Sequence, residues 1–343
     1  MAGNIYQVIW FVLWAVLWIV YFALDGFDLG AGSLLYFLGR SPEERAKVYS
    51  AIGPFWDGNE VWLITAGGAT FAAFPKTYAV MFSTLYSALL LLLFTLILRG
   101  VAVEYRNKYE SPVWRGLWDL VFFLNSLLPG LLLGVAFANM YKGLPIDANG
   151  ILHGSFFSLL NPYGLLGGAL FVFWFAVHGA TWMAFRTSGQ IAERAENLGK
   201  IFWAIAMLLL IVFWIVSAIV TDLWGNYEKY PILFVFPGIA LVAGFLIPYF
   251  LSKKSYFKAW VCSGLSIIGF GAWGFAGLFP RTLPSSINPE YSLTIYNSSS
   301  SPLTLKIMVA VAVIFVPIVL LYTFWAYKLF ASEKLNGAGD IEY

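Results

Sequence analysis

Hydrophobic positions along this chain come in long unbroken runs, not in strand-like alternation or the one-sided stripe of a surface helix. Nine runs stand out, over residues 5–37, 51–73, 77–100, 113–139, 162–186, 199–222, 231–251, 256–279 and 305–330. A helix needs about 20 apolar residues to cross bilayer hydrocarbon, and most runs reach that length. The longer ones must tilt or project. The breaks are chemically plain. Residues 40–47 (RSPEERAK) read as a charged turn, with Ser41 placed to N-cap ahead of Pro42. Residues 104–115 are polar, 141–161 form a Gly/Pro/Asn loop, 226–230 are brief, and 280–302 make a longer loop. None holds a soluble domain, so residues 1–343 read as one polytopic, all-α membrane domain.

Lys and Arg assign the two sides. The breaks after the first, third, fifth and seventh segments, with Lys328 and Lys334 near the C-terminus, hold fifteen of the 20 basic residues. The other side holds five: Lys76, Lys142, Lys229, Arg281 and Lys306. Positive residues concentrate in the cytoplasm, so the N-terminus is expected outside and the C-terminus inside. Nine transmembrane helices satisfy that odd parity. No strong internal repeat is visible. Four helices, an outer loop at 141–161, four more helices and one extra fit two four-helix bundles plus a ninth helix.

Composition agrees with a lipid solvent. Hydrophobic residues make up 60% and charged residues 11%, against about 25% charged in soluble domains. A net charge of +2 gives no electrostatic reason for a nucleic-acid partner. The N-terminal MAGNIYQVIW has no basic region before its apolar run, so the first helix is read as retained. The lone cysteine, Cys262, excludes an intramolecular disulfide and reads as a small core residue.

Polar residues within the apolar runs carry the chemistry. Residues 54–68, PFWDGNEVWLITAGG, open a membrane helix yet hold Asp57, Asn59 and Glu60. At helical spacing Asp57 and Glu60 share a face, flanked by Trp56 and Trp62, and Gly67-Gly68 leaves room for a close neighbour. An ionisable side chain in the bilayer costs about 2.5–3.5 kcal/mol on insertion scales, so such residues mark ion or proton paths. The competing reading is a hydrated turn at Asp57-Gly58-Asn59. LDGFDLG repeats the spacing with Asp25 and Asp28; its plain alternative is a helix break with Gly26 and Gly30 as a packing face. Arg99 closes the third segment and Asp119 opens the fourth; each alone reads as an anchoring or solvated residue. Together Asp25, Asp28, Asp57, Glu60, Arg99 and Asp119 fall at one level on four helices, on the side from which protons enter. Five acids facing one arginine favour a cytoplasmic proton path over a structural cluster.

The two histidines test for haem. His153 lies in an outer loop, and His178 lies between Trp174 and Trp182 inside the fifth segment. An isolated intramembrane histidine reads as a hydrogen-bonded core group, and with His153 outside no histidine pair can clamp a haem.

WDGNEVWLITAGGATFAAFP and LDGFDLGAG resemble subunit II of cytochrome bd-type quinol oxidases. The resemblance continues through LPGLLLGVAFANMYKGLP, LLNPYGLLGG, LPSSINPEYSLTIYNSSSSPLTL and VPIVLLYTFWAYKLF, in order and over nearly the whole chain. It implies a subunit of a terminal oxidase in the bacterial inner (cytoplasmic) membrane that oxidises quinol and reduces dioxygen to water, generating proton motive force. It implies that haem b and haem d are ligated by the partner, subunit I, and that this chain supplies scaffold, proton delivery and oxygen access. Asp25, Asp28, Asp57, Arg99 and Asp119 match polar positions on the family's proton path. Trp62 matches an aromatic near oxygen entry, and Glu60 stands where some relatives carry Gln. The resemblance leaves open a small single-helix third subunit and a structural quinone, which some relatives hold in this subunit. The alternative from a different class is a proton-coupled secondary transporter. Against it, the acids gather toward one side and no pair of Gly/Pro-broken helices occupies corresponding positions. A purely structural scaffold would lose only assembly when the acids are replaced.

Overall fold

In the computed structural model, which describes residues 4–331 and 335, the chain is all-helical apart from one small hairpin. Lys334, counted above on the inner side, lies outside the described residues. Thirteen α-helices are present among the described residues: α1 Ile5–Ser33, α2 Leu35–Leu38, α3 Pro42–Ile52, α4 Trp56–Ala73, α5 Pro75–Thr84, α6 Tyr86–Tyr105, α7 Pro112–Lys142, α8 Pro162–Arg186, α9 Gly189–Val220, α10 Gly225–Lys229, α11 Val235–Ser252, α12 Tyr256–Leu278 and α13 Pro302–Phe330.

Eight of the nine expected segments form helices long and apolar enough to cross a membrane. The ninth, α4, has 18 residues, about 27 Å at 1.5 Å per residue, and its acids dilute its apolarity. Helix ends follow local chemistry. Ser41 caps α3, with its hydroxyl accepting from the Glu44 amide and Pro42 in the first turn. Asn161 does the same for α8 through the Gly164 amide. The expected charged turn at 40–47 is therefore the start of an 11-residue helix. The run expected at 77–100 is divided at Leu85, between the end of α5 at Thr84 and the start of α6 at Tyr86.

α1, α4, α6 and α7 make one group, and α8, α9, α11 and α12 a second, joined where α1 and α7 pack on α8 and α1 on α12. α13 rests against α1 and α4. This is the two-bundle arrangement with one further helix. Small residues allow the junction: a methyl added to Gly30 would come within 1.7 Å of the Phe175 carbonyl oxygen, and one added to Gly179 within 2.3 Å of the Gly30 backbone. The Gly26/Gly30 packing face is thus real, and the same seven residues also carry two acids.

The segments expected on the outer side gather at one end. Strand β1, Arg281–Leu283, pairs antiparallel with β2, Leu293–Thr294, and Leu144 bridges to Ser285. Gln7 Nε2 donates to Ser299, and Thr77 lies 2.6 Å from Thr282 through their hydroxyls. The opposite end collects Arg45, Arg106, Arg194 and Lys200 with their acidic partners. The chain therefore alternates between two ends as the charge pattern requires. Inside, an aromatic core containing Trp14, Trp18, Phe22 and Trp273 meets a second around Phe27, Phe55 and Trp182 at the basic end.

Candidate functional site

Asp25 and Asp28 are fully buried on α1, where the first core, with Phe22, meets the second, with Phe27. Arg99 reaches them from the last part of α6, itself buried. One nitrogen, Nη2, donates to Asp25 Oδ1 and to Glu60 Oε2, each at 2.7 Å. Glu60 comes from α4, which therefore meets α6 through a shared guanidinium. Asn59, one residue earlier and buried, turns its Nδ2 onto Asp28 Oδ2 at 2.7 Å, while its Oδ1 accepts from the Tyr327 hydroxyl on α13 at 2.7 Å.

The Tyr21 hydroxyl pairs with the Asp25 carboxylate, while Asp28 Oδ1, Arg99 Nε and Arg99 Nη1 are buried without a protein hydrogen-bond partner. Such groups in membrane proteins are satisfied by ordered water or by each other. Four helices thus converge on three carboxylates, one guanidinium, an amide and two phenols.

The structure does not bring all six expected charges together. Asp57 is exposed on the outer face of α4, beside Gly58, Val61 and Ile64. It and Glu60 are three apart, yet Arg99 draws only Glu60 inward. Asp119, buried on α7, has a separate site with two arginines: Arg106 Nε at 2.6 Å and Arg45 Nε at 2.8 Å. Arg106 also stacks over Tyr49 and donates to the Pro42 carbonyl oxygen. The picture of five acids facing one arginine gives way to two clusters: in one Arg99 pairs with Asp25 and Glu60 beside Asp28, and in the other Asp119 pairs with two arginines.

Trp62 is buried in the first core. Gly67 and Gly68 have no close neighbour within the chain and instead line a groove of about 550 Å³ between α4, α5, α6 and α7. Its walls are apolar, including Leu63, Phe82, Leu89 and Leu133. α4 and α6 touch at the basic end, where the Trp56 ring covers Gly100, and diverge toward the other.

His178 offers no free ligand nitrogen. His178 Nδ1 lies 2.5 Å from the Ser263 hydroxyl, and its Nε2 faces the Ala23 carbonyl oxygen at 2.9 Å and so carries the proton. This ties α8 to α12 and α1. His153 is exposed and pairs with Asp147 at 3.0 Å. That bond holds the Asp147 carboxyl below its usual range. His178 is committed on both nitrogens and His153 is exposed in a loop, so the two cannot pair across one haem, and among the described residues no group of three or more His, Cys, Asp or Glu is placed to hold a metal.

Sequence reasoning missed Tyr327, Tyr21, Arg45 and Arg106 as parts of these clusters. The arginines lie in basic breaks of the sequence, where they read as anchors, and Tyr327 lies in an aromatic run without a polar signal.

Comparison with known proteins places this arrangement. The family profile for cytochrome bd terminal oxidase subunit II matches residues 6–330. A probable cytochrome oxidase subunit 2 of Haemophilus influenzae is 38% identical, covering 96% of each chain. The cytochrome bd-I ubiquinol oxidase subunit 2 of Escherichia coli K12 is 37% identical over 95% of each. The cytochrome bd ubiquinol oxidase subunit 2 of Bacillus subtilis is 35% identical, covering 95% of this chain and 96% of that one. Among solved structures, a chain of the bd oxidase from Geobacillus thermodenitrificans shares the fold with a TM-score of 0.76 at 16% identity, covering 95% of this chain and 99% of that one.

Proposed function

The chain belongs to the cytochrome bd terminal oxidase subunit II family, and from that premise we propose that it forms the haem-free half of a quinol:oxygen oxidoreductase in the bacterial inner membrane. The haem-bearing subunit I is its partner, and quinol and dioxygen are substrates of the pair. Within the pair this chain delivers protons from the basic, cytoplasmic end through Asp25, Asp28 and Glu60, with Arg99 holding them together. Asp119 supports the entrance between α3, α6 and α7.

The observation that carries the proton reading is the set of buried, unpartnered polar atoms of Asp28 and Arg99. A dry structural cluster would pair them; a path threaded by water leaves them available. Oxygen reduction consumes protons, and a low-dielectric interior conducts them only through ionisable groups and water. A secondary transporter would need its charges at a midplane site between repeats, and the family membership supports the oxidase instead.

Asp57, exposed on α4, is expensive against lipid and suits contact with subunit I. The groove beside Trp62 is apolar and within the size range of ligand pockets, which suits dioxygen passage or the tail of a structural quinone. The test of the proton reading is Asp25→Asn in the purified two-subunit enzyme. Normal haem content with oxygen consumption down by about 100-fold is expected; wild-type turnover overturns it.

A further inference from the structure

We infer that Tyr327 is a positioning residue for Asp28, acting through the side-chain amide of Asn59, so that the last helix sets the hydrogen bonding of the buried acid pair. For its effect on turnover the inference rests on the proton reading above; the hydrogen-bond relation itself does not.

The argument starts from the polarity of an amide. Asn59 has a donor end and an acceptor end, and both are engaged: Nδ2 donates to Asp28 Oδ2, and Oδ1 accepts from Tyr327. The phenol can donate or accept, but an ionised carboxylate can only accept. With Tyr327 donating to Oδ1, the N–H end is turned onto Asp28, as a carboxylate requires. The reversed amide would set its carbonyl oxygen against Asp28, which only a protonated carboxyl could meet. The amide orientation and the proton on Asp28 are therefore linked. The phenol hydroxyl decides how firmly the first orientation is held. An amide does not readily pass a proton along, so the chain positions the acid and does not conduct.

Tyr327 is well placed for this. α13 is otherwise thinly attached: among its described residues only Leu305 is buried, and its carbonyl oxygen accepts from Trp10 Nε1 at 2.9 Å. At the far end the Tyr327 ring packs among Phe27, Phe55, Trp182 and Trp260. The ring fixes the helix, and the hydroxyl reaches past it to Asn59. The charged groups acting on Asp28 are Asp25 on its own helix, Glu60 on α4 and Arg99 on α6. From α8, His178 is committed to Ser263 of α12 and to the Ala23 carbonyl oxygen. Asn59 is the only hydrogen-bond partner of Asp28 side-chain oxygens among the described residues, which gives the Tyr327 arm its leverage.

The experiment uses Tyr327→Phe in the intact two-subunit oxidase, which keeps the ring and removes the hydroxyl. Redox-induced infrared difference spectra are recorded in the carboxyl stretching region, with the Asp28 band assigned by its loss in Asp28→Asn. The expected result is a shifted Asp28 band, normal haem content, and a pH profile of oxygen consumption displaced by about one unit, with kcat lowered and KM for quinol unchanged. An Asp28 band and pH profile coincident with wild type overturn the inference, as does the absence of any band that Asp28→Asn removes. A shifted band in an enzyme whose Asp28→Asn variant turns over normally upholds the positioning role and removes the proton reading instead. Should Tyr327→Phe fail to assemble, Asn59→Ala interrupts the same chain at its middle and is read by the same criteria.

Discussion

At the scale of single residues, Arg99 is the centre of the acid cluster. One of its nitrogens serves two carboxylates from two helices, and both the guanidinium and Asp25 are out of contact with solvent. Removing one partner of such a pair leaves an uncompensated buried charge, a loss of about 3–5 kcal/mol. Arg99→Leu is therefore expected to lower the thermal unfolding midpoint of the complex markedly and to abolish turnover. Arg99→Lys should recover much of the stability and little of the rate, because an ammonium on a flexible stem does not fix its donors as a planar guanidinium does. Calorimetry and oxygen-electrode rates on the two variants check this together; equal stability of Arg99→Leu and wild type would sink it. The presence of Asp25, Asp28, Glu60 and Arg99 in one place was legible in the sequence, since ionisable residues in apolar runs have few other places to go. Their partition was not. Whether Asp57 or Glu60 turns inward depends on the rotation of α4 about its axis, and residues three apart leave that open. Arg45 and Arg106 were hidden for a different reason: an arginine at a basic helix end reads the same whether it faces water or a buried Asp119.

At the scale of elements, the α1/α8 crossing holds the two bundles together by close backbone approach. No rotamer change can relieve a methyl at 1.7 Å from a carbonyl oxygen, so the helices must separate. Gly30→Val should cost at least the 1–3 kcal/mol or so of an overpacked core and, by moving α1, displace Asp28 as well. The variant complex is expected to yield poorly in detergent, with a lowered unfolding midpoint; wild-type yield and midpoint would show that the crossing tolerates bulk. The loops expected on the outer side offer a milder test. Arg281 donates two 2.7 Å bonds to Asp222, which hold that carboxyl below its ordinary range. Such a group stabilises the fold above its unfolded pKa and loses that contribution as pH falls through the folded value. Hydrogen exchange in residues 281–294 should therefore quicken only below about pH 4, and Asp222→Asn should remove that dependence. Exchange that stays flat into acid in the wild type would exclude the role. The long helices were legible because the solvent dictates them. α3 was not, because its charged first turn carries no apolar run, and the division of the third segment at Leu85 has no Gly or Pro to announce it.

For the whole molecule, the question is which outer surface meets the partner subunit. Most exposed faces are plain apolar helix, as on α9 with Leu208, Ile215 and Ile219, and lipid covers such a face without penalty. The outer face of α4 differs in two ways. It exposes the Asp57 carboxylate, and Gly58 and Gly68 have open space where side chains would stand. A charge in hydrocarbon is costly, and small residues on a membrane helix admit a neighbouring backbone at close range. Both features are satisfied by a protein neighbour and neither by lipid. The face also continues directly into Asn59 and Glu60, so a partner seated there would lie one helix away from the acid cluster. That is the short distance a proton path into the haem-bearing subunit requires. A photo-crosslinking residue at Ile64 or Val61 should therefore capture subunit I in native membranes, while the same probe at Ile215 should capture lipid. In that geometry Asp57→Asn preserves the shape of the face but removes an ionisable group at the crossing point. It should assemble with normal haem content and lose oxygen consumption, whereas a variant that no longer assembles would assign Asp57 to docking. Crosslinks from Ile215 to subunit I, with none from Ile64, would move the interface to the second bundle and detach Asp57 from the proton path altogether.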